Sequence, residues 1–287
     1  MMSHRYIRGF FAVLLILVFA VVTIGCSSSE EQDTAAKGTK ENTAQAEPDN
    51  GNSDVIGIIG AMEEEVKNLH KEMKVDQTKE QNGLTFFKGE LEDQKIVVVR
   101  SGVGKVNAAM TAQILVDEFG VDALINTGVA GGPKSKLNIG DIVISTRTVQ
   151  HDMNAADKDK AGKIPHMDKT FFKADPELVK LAESAADELP EKMSAYTGTI
   201  ATGDQMVTDD KKSHRIAIRF DAWAIEMEGA AIGQVAYLND IPYVVIRSIS
   251  DTAGDGGEEL YSNFKDKAAQ NAIDMVKHIL NNYSSDK

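Results

Sequence analysis

Val55-Ile56-Gly57-Ile58-Ile59-Gly60-Ala61-Met62-Glu63-Glu64-Glu65 is the stretch on which the fold turns. Its opening run is apolar on both alternations, which marks a strand buried on both faces. The run ends in a glycine, and three carboxylates follow it almost at once. Acids gather in a first helical turn because they face the positive end of the helix dipole, and that ordinary role accounts for Glu63 and Glu64. A buried strand feeding a helix is the repeating unit of an α/β domain.

The same alternation recurs outward from this unit. Apolar runs at 96–100, 123–126, 141–146, 197–202, 222–226 and 243–249 read as further strands, and 62–73, 105–119, 176–189, 209–218 and 227–238 read as helices. A last helix over 265–283 repeats Ala269, Ile273, Val276, Leu280 and Tyr283 at helical spacing, the pattern of a core-packing face.

Upstream of Asp54 the texture is different. Arg5 and Arg8 precede an apolar stretch from Phe10 to Val22, and Thr23-Ile24-Gly25-Cys26 closes it, the layout of a secretory signal. The apolar stretch is shorter than the roughly 20 residues of a membrane span. A small residue before a cysteine resembles the bacterial lipobox, with Thr23 where leucine is usual, so Cys26 is the expected lipidation site and residues 1–25 the expected cleaved signal. The alternative is an uncleaved N-terminal anchor, and either one holds the chain at the extracytoplasmic face of a membrane. Residues 27–53 contain no aromatic or large aliphatic residue and cannot bury enough surface to fold. They read as a tether with a random-coil span on the order of 30 Å, which leaves 54–287 as the folded domain.

Charge narrows the function. The chain of 287 residues carries a formal −13, and loss of 1–25, whose formal charges are two arginines, would take it to −15. Nucleic-acid binding relies on a basic face, so that class is excluded. The single cysteine cannot form an internal disulfide, and the six histidines show no metal-binding spacing, so neither a metal nor a cofactor is expected. Gly102-x-Gly104 lacks the third glycine of a dinucleotide fingerprint, and Gly104-Lys105-Val106 lacks the Ser or Thr of a phosphate-binding loop. His151-Asp152 reads as a loop pair.

Functional groups in such folds collect at the carboxyl edges of strands. Here those edges carry Glu63-Glu64-Glu65, Ile225-Glu226-Met227-Glu228-Gly229 and Arg247-Ser248-Ile249-Ser250-Asp251. Two glycine-bearing segments that read as turns, Ser101-Gly102-Val103-Gly104-Lys105 and Thr127-Gly128-Val129-Ala130-Gly131-Gly132, let a ligand approach the backbone.

Taken in register with Gly57 to Glu65, Asn126-Thr127-Gly128, Glu226-Met227-Glu228 and Ser250-Asp251, these segments resemble the 5′-methylthioadenosine/S-adenosylhomocysteine nucleosidases. The resemblance runs from about Val55 to the C-terminal helix. It implies a nucleoside-phosphorylase-like three-layer α/β/α fold with a mixed central sheet, working as a homodimer without cofactor on a small nucleoside. It maps Asp251 onto the residue that protonates adenine N7, Glu65 onto the one that activates water, and Glu228 onto the one that grips the ribose hydroxyls. Arg247 would hold the carboxylates in order and Ser250 would support Asp251. Val103, Met206, Val207, Glu226 and Met227 fall among the substrate contacts, Val207 reading the base through its backbone and Met206 standing where the family commonly has Phe. Such an acid set suits N-glycosidic hydrolysis, which needs a proton for the leaving base and a positioned water.

Two departures bear on affinity and preference. Val129 replaces a usual Ser, and 155–163 is polar where the family often carries aromatics that close over the 5′ substituent. The rival readings are a nucleoside phosphorylase and a non-catalytic nucleoside-binding lipoprotein. Phosphate would meet Glu63, Glu64 and Glu65, and a like-charge contact at 4 Å costs about 1 kcal/mol in water and about 4 kcal/mol at an effective dielectric of 20.

Overall fold

The computed structural model describes residues 54–155, 161–186, 193–252 and 257–283. The expected signal, the tether with Cys26, residues 156–160 of the polar loop and the predicted helix end at 187–189 lie outside them. In chain order the elements begin with β1 (Val55–Gly60), α1 (Glu63–Glu72), β2 (Lys74–Gln81), β3 (Leu84–Leu91), β4 (Gln94–Arg100), α2 (Lys105–Phe119), β5 (Ala123–Gly132) and β6 (Ile142–Gln150). They continue with β7 (Phe172–Lys173), α3 (Pro176–Ala186), β8 (Ala195–Thr202), α4 (Asp210–Phe220), β9 (Ala222–Glu226), α5 (Gly229–Asn239), β10 (Tyr243–Thr252) and α6 (Gly257–Asn282).

The sheet is mixed, in the order β10-β6-β8-β9-β5-β1-β4-β3-β2, with β7 on β6. Strands β4, β1, β5 and β10 run parallel side by side, so their carboxyl ends share one edge. Because β5 pairs with both β10 and β9, the β5–β10–β6–β8–β9 part closes on itself. Helices cover both faces. Val66 and Leu69 of α1, Leu178 of α3 and Ile273, Val276 and Leu280 of α6 pack on Ile56, Ile58, Ile125 and Val244. Ala112 and Leu115 of α2 and Ile232 of α5 pack on Ile59, Val97, Leu124 and Val245. The three-layer α/β/α expectation therefore holds, and burial on both faces explains the doubly apolar strands.

Three readings change. The hairpin of β2 and β3 is absent from the predicted strands because β2, Lys-Val-Asp-Gln-Thr-Lys-Glu-Gln, is an exposed edge with no apolar face. Its turn, Asn82-Gly83, has φ of 53° and 77°, the left-handed pair that a two-residue hairpin requires. Residues 127–132 are not a turn but the second half of β5, paired with β10 through Gly132 and Thr252. Helix α5 starts at Gly229, not at 227, so Met227 and Glu228 stand before it, with Glu228 as its N-cap.

Candidate active site

Glu65 lies in the first turn of α1, directly beyond β1, and is 3% exposed. Its Oε2 accepts the N–H groups of Ala61 at 2.7 Å and Met62 at 2.9 Å, and its Oε1 accepts that of Val129 at 3.1 Å. Val129 thus contributes through its backbone whatever its side chain is. Burial raises the Glu65 pKa above the ordinary carboxylate value, outweighing Arg247 and these three donors.

Arg247 stands on β10, 1% exposed, at the centre of the acids. Its Nη2 donates to Glu226 Oε2 at 2.5 Å and to Asn126 Oδ1 at 2.6 Å, and lies 3.5 Å from Glu228 Oε2. Gly128 on β5 makes room for this meeting. A Cβ there would lie 2.5 Å from Glu65 Oε1 and 2.9 Å from Arg247 Nη1.

Glu226 closes β9 with both carboxylate oxygens engaged. Oε2 takes, besides Arg247, the N–H groups of Glu228 at 2.9 Å and Gly229 at 2.7 Å, and Oε1 takes the Thr202 hydroxyl. Its carboxyl group sits on the N-terminus of α5, where the helix leaves donors unpaired. Glu228, by contrast, offers carboxylate to the cavity. Its Oε1 accepts Gly104 N–H at 2.8 Å, and burial together with Glu226 pushes its pKa up to about 8 against the pull of Arg247.

Asp251 follows a register irregularity in β10 between Ile249 and Asp251, a bulge of the kind that re-aims a side chain. Ser250 Oγ donates to Asp251 Oδ1 at 2.8 Å, yet burial still raises the Asp251 pKa. Glu65, Glu228 and Asp251, from three separate strand edges, line one cavity of about 340 Å³ together with Val103, Met206, Val207, Glu226, Met227 and Ser250. Arg247 stays behind that wall. A larger groove of about 1220 Å³ also exists, but its acids, Asp210 and Asp221, are exposed and do not converge.

Several residues that hold this arrangement carry no role in the sequence reading. Asn126 and Thr202 are fully buried and orient Arg247 and Glu226. Lys105 Nζ donates to Asp152 Oδ1 at 2.7 Å, Asp152 Oδ2 accepts Asp204 N–H at 2.9 Å, and Asp204 Oδ1 accepts Lys105 N–H at 2.8 Å. This clamp pins the loop bearing Met206 and Val207 to the start of α2. His151-Asp152 is thus part of a loop support, with the His151 imidazole packed under Gly203 and its pKa lowered by burial. The available signal was polarity at strand ends, which by itself names no partner.

Residues 55–281 match the phosphorylase superfamily. The 5′-methylthioadenosine/S-adenosylhomocysteine nucleosidase of Bacillus licheniformis is 41% identical over 227 residues, covering 78% of this chain and 97% of that protein. Among solved structures, the nucleosidase of the same name from Neisseria meningitidis, in complex with methylthio-immucillin-A, aligns at a TM-score of 0.76 and 34% identity over 80% of this chain and 100% of that one. The Colwellia psychrerythraea nucleosidase, in complex with adenine, aligns at 0.75 and 38% identity over 79% and 94%. With the superfamily match spanning the domain and a relative covered almost end to end, the chain belongs to the 5′-methylthioadenosine/S-adenosylhomocysteine nucleosidases of the phosphorylase superfamily.

Proposed function

We propose that the chain hydrolyses the N-glycosidic bond of 5′-methylthioadenosine and S-adenosylhomocysteine, releasing adenine and the 5′-substituted ribose. The observation that carries this reading is the convergence of Glu65, Glu228 and Asp251 on one cavity. Asp251, its pKa raised by burial, delivers a proton to adenine N7 as the C1′–N9 electron pair leaves with the base. Glu65 takes a proton from the attacking water, whose oxygen forms the new bond to C1′. Glu228 grips the ribose hydroxyls and Met227 packs on the sugar, while Val103, Met206 and Val207 enclose the rest of the nucleoside. One turn leaves Asp251 deprotonated and Glu65 protonated, and exchange with solvent resets both.

Arg247 serves by position. It holds Glu226 and Glu228 in order, and its commitment to Glu226 and Asn126 leaves it unsuited to capture phosphate. That favours water over phosphate as nucleophile. The test is chromatography of 5′-methylthioadenosine incubated with the domain from Ser53 onward, without metal or phosphate. Free adenine with 5-methylthioribose is the expected outcome; 5-methylthioribose 1-phosphate formed beside adenine in phosphate buffer would indicate a phosphorylase, and intact nucleoside a binding protein.

Two further features belong to this reading. The chain is a lipoprotein, held to a membrane at its extracytoplasmic face through Cys26 and the 26–53 tether; Thr23-Ile24-Gly25-Cys26 after the apolar stretch supports this. It is a homodimer, for which the exposed apolar side chains of Val106, Tyr237 and Leu238 on the adjoining α2 and α5 speak.

A further inference from the structure

We propose that a second depression, beside the reaction cavity, receives the amino-acid end of a long 5′ substituent, with Arg100 reading its carboxylate and Glu63 its ammonium group. The inference rests on the nucleosidase reading and deepens it. The depression has a volume of about 540 Å³ and lies between α1 on one side and the start of β3 and end of β4 on the other. It shares Ala61, Met62 and Val103 with the reaction cavity, so the two spaces meet along one wall. The reaction cavity, at about 340 Å³, is at the small end for a ligand pocket, and a substituent much longer than methylthio must leave it.

The neighbouring depression suits such a tail in two parts. Part of its lining is apolar, with Leu84 and Phe87, the latter stacked on His70 at 3.7 Å between ring centroids. That surface matches a thioether and its methylenes. The charged groups at the lining are Arg100, exposed at the end of β4, Glu63, exposed at the first position of α1, and the neighbouring pair Glu64 and Lys67 on the same helix. Among the described residues Arg100 has no acidic partner. Glu64, the neighbouring acid, is already bound to Lys265, which leaves Glu63 as the acid open to an ammonium group. A guanidinium matches a carboxylate with two parallel N–H bonds, a geometry lysine lacks. A zwitterion therefore meets groups of both signs, with Arg100 the one that can bond its carboxylate in parallel, whereas 5′-methylthioadenosine has nothing to place there.

The experiment is steady-state kinetics of wild type and Arg100→Gln on both nucleosides. KM for S-adenosylhomocysteine should rise about tenfold, the low end for losing an exposed charge-assisted bond, with kcat nearly unchanged and both constants for 5′-methylthioadenosine unmoved. Glu63→Gln should act in the same direction, more weakly. An analogue with the tail carboxyl amidated should bind wild type and Arg100→Gln alike. An unchanged KM for S-adenosylhomocysteine, or a parallel rise for both nucleosides, overturns the proposal. If wild type cleaves neither nucleoside, it is the nucleosidase reading that fails, and calorimetric binding of the same pair to the two proteins decides the tail site by the same criterion.

Discussion

Glu228 accepts the backbone N–H of Gly104 at 2.8 Å although 124 residues separate the two along the chain. Gly104 has a φ of +100°, a conformation in which a side chain is strained, and it is the N-cap of α2. The next N–H, of Lys105, holds Asp204. One helix start therefore positions both the acid of the ribose side and the loop of the base side.

Glu228→Gln removes a buried ionisation while keeping the acceptor for Gly104. In wild type the Glu228 pKa is about 8 in the folded state against 4.5 as the ordinary value. The folded state thus binds more protons between those limits, and stability falls as pH rises from about 4.5 through 8. The variant should lose part of that slope and unfold at a higher temperature than wild type at pH 9, each kcal/mol being worth about 2–4 °C. Calorimetric melts at pH 5 and pH 9 check it; equal slopes in the two proteins would count against it.

Asp251→Asn keeps shape and the acceptor for Ser250 but has no proton to transfer. Turnover should fall by about 10²–10⁴-fold, the usual worth of general acid catalysis, with nucleoside binding largely retained. Glu65→Gln should do likewise by leaving the water unactivated. Single-turnover adenine release beside calorimetric binding separates the two quantities, and near-normal turnover of folded Asp251→Asn would reopen the assignment.

Gly128→Ala tests the close approach of Glu65 and Arg247. The added Cβ falls 2.5 Å from Glu65 Oε1, so the carboxyl or the strand must move. Overpacking of this kind costs about 1–3 kcal/mol, and a displacement near 1 Å at reacting groups costs about 10²-fold in rate. Thermal melts and kcat measured together should show both losses.

Lys105→Met cuts the clamp beneath the base loop without touching the cavity acids. Asp152 and Asp204 then face each other without their cation, and the loop with Met206 and Val207 loosens. KM should rise about tenfold with kcat within a few fold, as expected for loss of a charge-assisted bond, and Lys105→Arg should recover part of it. A fall in kcat at constant KM would argue against a role confined to the loop.

Cys26→Ser should move the full chain from the detergent phase to the aqueous phase on phase separation, with the domain's activity unchanged. Persistence in the detergent phase would favour an uncleaved N-terminal anchor.

The sequence alone determined the elements whose pattern is set by their own residues. The doubly apolar strands, the α2 helix over 105–119 and the α6 face of Ile273, Val276 and Leu280 were legible because burial on both faces, or along one stripe, writes its period into the chain. The site segments were legible as polar residues at strand ends, and their resemblance to a known family supplied an order of roles. Tertiary structure decided what depends on distant partners. The polar β2 is a strand only because β3 offers it a ladder, and 127–132 is extended only because β10 pairs with it. Likewise Glu226 is an anchor and Glu228 an open acid, although they stand two residues apart. Their difference arises from Thr202, Arg247 and the α5 N-terminus on one carboxylate and from Gly104 on the other. Hydrogen bonds and burial act through space, so the pKa of a carboxylate depends on groups that its own neighbourhood in the sequence does not name.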